Sequence, residues 1–428
     1  FVTNVSDAIA DHALQAALAN RRGESIKSPR WPQPLGVKQS RELAGTWRVG
    51  DNWVRIYERD GDLYYDPNIG VRTRMRLAAD GSLIADDPLG VGPTRRLTIL
   101  PNGNLKGPNL EYTRDESVPE PAPSKLLEFL GEYGSEHNSL IVYEDGGRLA
   151  VLIEWFRRDL PDFEEKDRYS FPPGTYHDDE LQFRRNHEGK VHAVLLSGAR
   201  LERRPAPSTY SFQKESDQSI SALVAVARKS SPPLSLTIGK LAHDLISPLS
   251  IAGGQGMQFD SRRAMTNHLF GAKLSDQSSM QLQRPAAEAL VRVHQALAEH
   301  DVGLQMFEGY QPWWITKVIW DAAPQHLKPF VSDPNYGSQH NRGCAVSLTL
   351  YNRRTGKPIN MPSGYGELSG RAYADYPGGT SRQRFFRELL RGAMESEGFH
   401  ASQHAWWQFV YKDWREYPVS NEPLSAQK

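Results

Sequence analysis

The stretch Ser338-Gln339-His340-Asn341-Arg342-Gly343-Cys344-Ala345-Val346-Ser347 governs the reading of this chain. Its polar first half runs to a glycine, and from Ala345 the residues to Tyr351 have the Val, Leu, Thr and Tyr content of a strand. Two further motifs flank it. Gly309-Tyr310-Gln311-Pro312 follows a strand candidate at Val302–Phe307, and His404-Ala405-Trp406-Trp407-Gln408-Phe409 leads into another at Trp407–Tyr411. Helices are predicted over Pro285–Ala298 and Arg384–Glu397. The first has a proline in its opening turn and Ala289, Leu290, Val293, Ala296 and Leu297 on one face. The second places Phe385, Leu389, Leu390 and Met394 inward and stops at Gly398. Together these elements predict an α+β domain whose site forms where strands and loops converge.

In this order, the three motifs resemble those of the D-alanyl-D-alanine dipeptidase family, zinc peptidases that cleave the D-Ala-D-Ala stem of peptidoglycan precursors. The likeness covers Asp244–Asn421 and takes in Leu282–His294, Ala374–Ser381 and Tyr411–Pro418 as well as the motifs. The family pattern is G-Y-R-P, then S-x-H-x-x-G-x-A-x-D, then E-W-W-H. Here the Arg is Gln311, the Asp is Ser347, the Glu is Ala405 and the second His is Gln408, while Gly366 stands where the family usually has an Asp. The resemblance therefore implies metal positions at His340, Ser347 and Gln408, of which only His340 is competent. It implies degenerate catalytic positions at Gln311 and Ala405, and binding positions at Tyr310, Ser338, Trp406 and Trp407.

A mononuclear zinc peptidase needs three protein ligands, a bound water and a general base. Loss of the base alone costs ~10²–10⁴ in rate. Loss of a transition-state donor such as the Arg costs ~10²–10³. A hydroxyl and a neutral amide are poor zinc ligands, so no cofactor is expected, with zinc returning only if His400, His404 or Cys344 rebuilds the site. The plain structural readings are that His340 is an ordinary loop histidine, Ser347 and Gln408 are neutral fillers, and Trp313, Trp314, Trp406 and Trp407 are core and pocket-wall aromatics. The expected function is a pseudopeptidase that binds a peptide, a cell-wall-derived ligand or a partner protein. The alternatives are a metal-independent enzyme using His340 with Ser347 or Cys344, a zinc dipeptidase with substitute ligands, and an assembly scaffold.

Upstream, an internal repeat emerges. Gly45, Trp47, Tyr57, Glu58, Gly61 and Leu63 recur 86 positions later as Gly131, Tyr133, Tyr143, Glu144, Gly147 and Leu149. The strand-like runs Leu149–Phe156 and Val191–Leu196 lie between turn residues. This predicts two antiparallel β-modules, which resemble small lipocalin-like domains, joined by the Pro-rich residues 119–124. The expected organisation is multidomain: an N-terminal helix (Val5–Ala19) and Pro-bearing linker over 1–39, β-modules at 40–118 and 125–205, a polar linker at 206–234, and the α+β dipeptidase-like domain at 235–428. The acidic Asp162–Asp167 run is expected as a solvated loop and Gly364–Gly366 as a turn.

Lys plus Arg and Asp plus Glu both number 51, which disfavours nucleic acid and anionic membranes as partners. No apolar stretch approaches the ~20 residues of a transmembrane helix. The single cysteine, Cys344, excludes an intrachain disulfide. A chain starting at Phe1 suggests a processed N-terminus and hence a periplasmic or secreted protein, with the cytoplasm as the alternative.

Overall fold

The structure, a computed structural model, describes residues 3–25, 32–50, 52–59, 61–66, 73–85, 96–135, 139–153, 156–160, 166–171, 179–205, 219–265, 274 and 280–423. The chain forms two units, residues 1–119 with 123–203, and residues 120–122 with 204–428.

In the first unit a helix, Thr3–Arg21, precedes the repeat. Eight antiparallel strands then close into a barrel in sequential order: Gly45–Val49, Asn52–Arg59, Asp62–Asp66, Thr73–Leu77, Leu83–Ala85, Arg96–Ile99, Leu105–Lys106 and Glu111–Asp115. The two-residue alternation of a strand decides what fills it. Along Asn52–Arg59, Val54, Ile56 and Glu58 are buried, and the interior is packed with side chains such as Trp47, Leu63, Tyr65, Met75 and Leu105. Gln33, inside the expected linker, pairs in backbone with Leu77 and so extends the barrel rather than merely leading to it.

The second repeat gives two four-stranded antiparallel sheets, Gly131–Gly134 through Phe156–Asp159 and Arg168–Ser170 through Ala199–Glu202. They share one core built on Tyr133, Leu140, Val151, Leu181 and Phe183. A Tyr133–Arg203 bridge joins the first strand to the end of the last. Most of the acidic run, residues 162–165, lies outside the described residues; Asp167, at its end, is buried and ion-paired with Arg185 at 2.6 Å.

The repeat is visible in atomic detail. Glu58 accepts a hydrogen bond from the Gly61 amide at 2.6 Å, and Glu144 accepts one from the Gly147 amide at 2.6 Å. Both glycines have φ near +86°, at 87° and 85°, a turn conformation that a side chain would strain. Arg114 donates to the carbonyls of Glu42 and Ala44, and Arg203 donates to those of Glu128 and Leu130, each guanidinium lying 5.9 Å from the aromatic ring of its own unit. The two modules meet through outward-facing residues. The guanidiniums of Arg55 and Arg157 lie 4.6 and 4.7 Å from the centre of the Trp53 ring, and Asp145 pairs with Arg157 at 2.7 Å and with Arg55 at 3.3 Å.

The second unit holds a five-stranded sheet in the order Gln258–Phe259, Val302–Glu308, Ala345–Asn352, Ala405–Tyr411, Phe399–Ser402, antiparallel except for its first pair. Helix Arg284–Ala296 buries Ala286, Ala289, Leu290 and Val293. Helix Ser381–Ser396 begins before the expected Arg384 because Thr380 and Gln383 form a reciprocal cap. Gly398 follows it at φ 87°. Two helices were not anticipated. Trp313–Ala322 starts directly after Pro312, and Ile220–Arg228 stands where a polar linker is expected. Ser219 caps the latter, and its Leu223 and Ala227 pack with Trp314, Ile315, Val318 and Ala322. Four apolar residues at helical spacing outweigh the polar composition around them. Among the described residues no helix is long and apolar enough to cross a membrane.

Candidate functional site

Two loops bring the first two motifs together. Gly309 leaves no room for a side chain, since a Cβ there would lie 2.4 Å from Met280 Sδ and 2.7 Å from the Gln281 carbonyl. In the second loop the Ser338 amide donates to Asn341 Oδ1 at 2.9 Å and the Asn341 amide donates to Ser338 Oγ at 3.2 Å, folding the short 3₁₀ turn at His340–Arg342. Asn341, fully buried, also donates through Nδ2 to the Gln311 carbonyl at 2.9 Å, and the Gln311 amide donates to the His340 carbonyl at 3.0 Å. The loops are thus stapled by backbone contacts that a change of side chain at 311 leaves intact.

His340 is buried, and its Nδ1 lies 2.7 Å from the Gly309 carbonyl. A carbonyl only accepts, so Nδ1 carries the proton and Nε2 the lone pair of the neutral ring. That is how a metal-binding imidazole is oriented by its outer hydrogen bond. The sheet supplies the other positions. Glu308 pairs in register with Ser347, and Ser347 with Gln408, so the three stand in a row across adjacent strands. At the end of the last hairpin the register breaks: Ala401 faces Phe409 but Ser402 faces Ala405. Three extra residues bulge there, which releases positions 405–408 from strict alternation.

The donor set does not fit a zinc ion. Beside His340 stand a buried hydroxyl at Ser347 and a half-buried amide at Gln408, and position 405 offers only a methyl group. Among the described residues no group of three or more His, Cys, Asp and Glu side chains could hold a metal. His400 and His404 are exposed, and His404 sits edge-on to Tyr373 with ring centroids 5.3 Å apart. Cys344 is fully buried, and burial pushes its thiol up to about 12, which removes it as a nucleophile near neutral pH.

Glu308 is the residue the sequence reading overlooked. It is a buried carboxylate that accepts a hydrogen bond from Gln311 Nε2 at 2.8 Å and one from the Tyr365 hydroxyl. Its signal was an acidic side chain closing an apolar strand, directly before the Gly309 motif. Gln311 therefore has a defined anionic partner rather than an empty cavity. Of the expected binding positions, Tyr310 is turned into a latch: its hydroxyl donates to the Glu422 carbonyl at 2.8 Å and accepts from Ser420 Oγ at 2.9 Å, and burial raises its pKa to about 12. Ser338 is part of the turn. Trp406 donates from Nε1 to Ser363 at 2.8 Å, and Trp407 is edge-on to Tyr365, whose ring packs on Phe307.

Beyond Tyr365 lies an open cleft of about 360 Å³ on the same unit, lined by Arg262, Phe307, Thr349, Tyr365, Arg371 and Trp406 among others.

Residues 250–422 match the model of the D-ala-D-ala dipeptidase family. The chain is similar to the D-alanyl-D-alanine dipeptidase of Enterococcus faecium, at 30% identity over 150 residues, covering 31% of this chain and 74% of that protein. It is 25% identical over 170 residues to the D-alanyl-D-alanine dipeptidase of Escherichia coli (strain K12), covering 40% of this chain and 86% of the relative. That of Enterococcus faecalis (strain ATCC 700802 / V583) is 26% identical over 178 residues, covering 37% and 87%.

Proposed function

Because this chain belongs to the D-alanyl-D-alanine dipeptidase family, we propose that its C-terminal domain is a degenerate peptidase, one that binds a peptide, a cell-wall-derived ligand or a partner protein and does not cleave it. The observation that carries this reading is the donor set at the family positions: Gln311, Ser347, Ala405 and Gln408 replace every charged or metal-binding group except His340. Gln311, at the position of the family's Arg, is a neutral amide that donates to Glu308. Replacing charges by neutral groups at buried positions also removes the desolvation cost of a pocket without metal.

In this reading residues 235–428 form the binding domain, and 40–118 and 125–205 are accessory β-modules. A ligand released from the finished cell wall would suit a protein of the periplasm or the outside of the cell, and a peptidoglycan precursor one of the cytoplasm. The deciding experiment is metal analysis of the purified protein together with hydrolysis of D-Ala-D-Ala, with and without added zinc. No stoichiometric metal and no turnover are expected. Stoichiometric zinc with chelator-sensitive turnover would restore the dipeptidase activity and overturn the reading.

A further inference from the structure

We propose that the cleft beside Tyr365 is a recognition site for a small carboxylate carrying a flat apolar group, with Arg262 and Arg371 as the anion-binding pair. This deepens the proposed function and rests on it, since it names the ligand class of a site that binds without cleaving.

The cleft's volume, about 360 Å³, lies at the small end of the ~300–1,000 Å³ typical of ligand sites, which suits one amino-acid-sized molecule rather than a polymer. Among the described residues no acidic side chain lines it, while two arginines do. Arg262 is anchored behind the cleft, pairing with Asp260 at 2.7 Å and stacking over Phe307 at 4.9 Å and Tyr365 at 5.8 Å. A carboxylate is the acceptor that a guanidinium fork meets best. Arg371 is held by the Pro362 carbonyl at 3.0 Å and by Glu367 at 3.4 Å, so both cations are fixed before any ligand arrives. The aromatic surface is equally fixed: Trp406 by its bond to Ser363, Tyr365 by its bond to Glu308.

The test is calorimetric titration of the full chain, in the presence of a chelator, with three probes of one shape: 3-phenylpropanoate, 3-phenylpropanamide and 3-phenylpropylamine. The acid is expected to bind at least tenfold more tightly than the amide, and the amine not measurably. Arg262→Gln and Arg371→Gln should each weaken the acid by about tenfold and leave the amide unchanged. Thermal melting shows that each variant is folded, and either variant suffices if the other is not. A dipeptide ending in phenylalanine separates a free acid from a peptide C-terminus as the natural source, and tight binding of either supports the proposal. Equal affinity for acid and amide, or no binding by the folded wild-type protein, overturns it. Zinc-dependent D-Ala-D-Ala turnover in the same preparation would instead sink the non-catalytic reading, whatever the probes show.

Discussion

If the loops and sheet have kept the geometry of a metal site while losing its donors, two substitutions should bring the metal back. Ser347 and Gln408 are register partners on adjacent strands, and His340 already carries its proton on Nδ1 through the Gly309 carbonyl. The variant Ser347→Asp/Gln408→His therefore recreates one carboxylate and two imidazoles. Without metal, the new carboxylate is buried in register with Glu308, and an uncompensated buried charge of this kind costs ~3–5 kcal/mol. The metal-free variant should melt well below the wild type. Zinc should reverse this: at a free concentration one hundred times Kd, binding contributes about 2.7 kcal/mol. For a domain of this size that corresponds to roughly 5–11 °C in Tm. The assay is a pair of thermal melts, with chelator and with micromolar zinc, beside metal analysis of the dialysed protein. His340→Ala in the same background should abolish uptake. A folded double variant that takes up no zinc, with a Tm indifferent to it, would refute the claim that the geometry survived.

The buried His294 yields a pH effect. Burial and then the nearby Arg353 lower its pKa from 6.5 to about 4, and Nδ1 accepts the Leu304 amide at 3.2 Å. The unfolded chain gains this proton first, so stability falls between pH 6.5 and 4 by ~1.4 kcal/mol per pH unit at most. A urea-denaturation series in which His294→Gln keeps the full slope would count against it. In the repeat, Glu58→Ala should cost ~1–3 kcal/mol, since it strips the buried Gly61 amide of its acceptor, and Glu144→Ala should cost less, since Gly147 is exposed and water can take the acceptor's place; chemical denaturation of the full chain checks that the first loss is the larger. Cys344 should resist iodoacetamide at pH 8 in the native protein and react on unfolding, where a thiol titrates near 8.5. Rapid native alkylation would show that the thiol is more accessible than its complete burial implies.

Some of this molecule was legible before any coordinates. Helix and strand periodicities placed Arg284–Ala296, Ser381–Ser396 and the central strands within a few residues, because these segments bury one face against a common core. The repeat was legible from six residues, since Glu58 and Gly61 are tied to each other and the same tie holds Glu144 to Gly147. What stayed hidden depends on partners distant in sequence. The helical spacing of Ile220, Leu223, Val224 and Ala227 is short and lies in a polar tract, which masks it; its packing against Trp313–Ala322 makes it a helix of the core. Glu308 was missed because its importance lies in Gln311 and Tyr365, three and fifty-seven residues away. The bulge before Phe409 depends on the register of a neighbouring strand.

The Trp53 clamp has a mechanical consequence. A tryptophan in contact with two guanidiniums, with Asp145 bridging both, ties the outer wall of one module to the outer wall of the next. Modules strung on a flexible tether would yield to a pulling force one at a time, giving two rupture events. Here the first module cannot peel away without exposing charges that the second has helped to desolvate, so the pair should give way in a single event. The tandem β-modules are in this sense a strut rather than beads on a string.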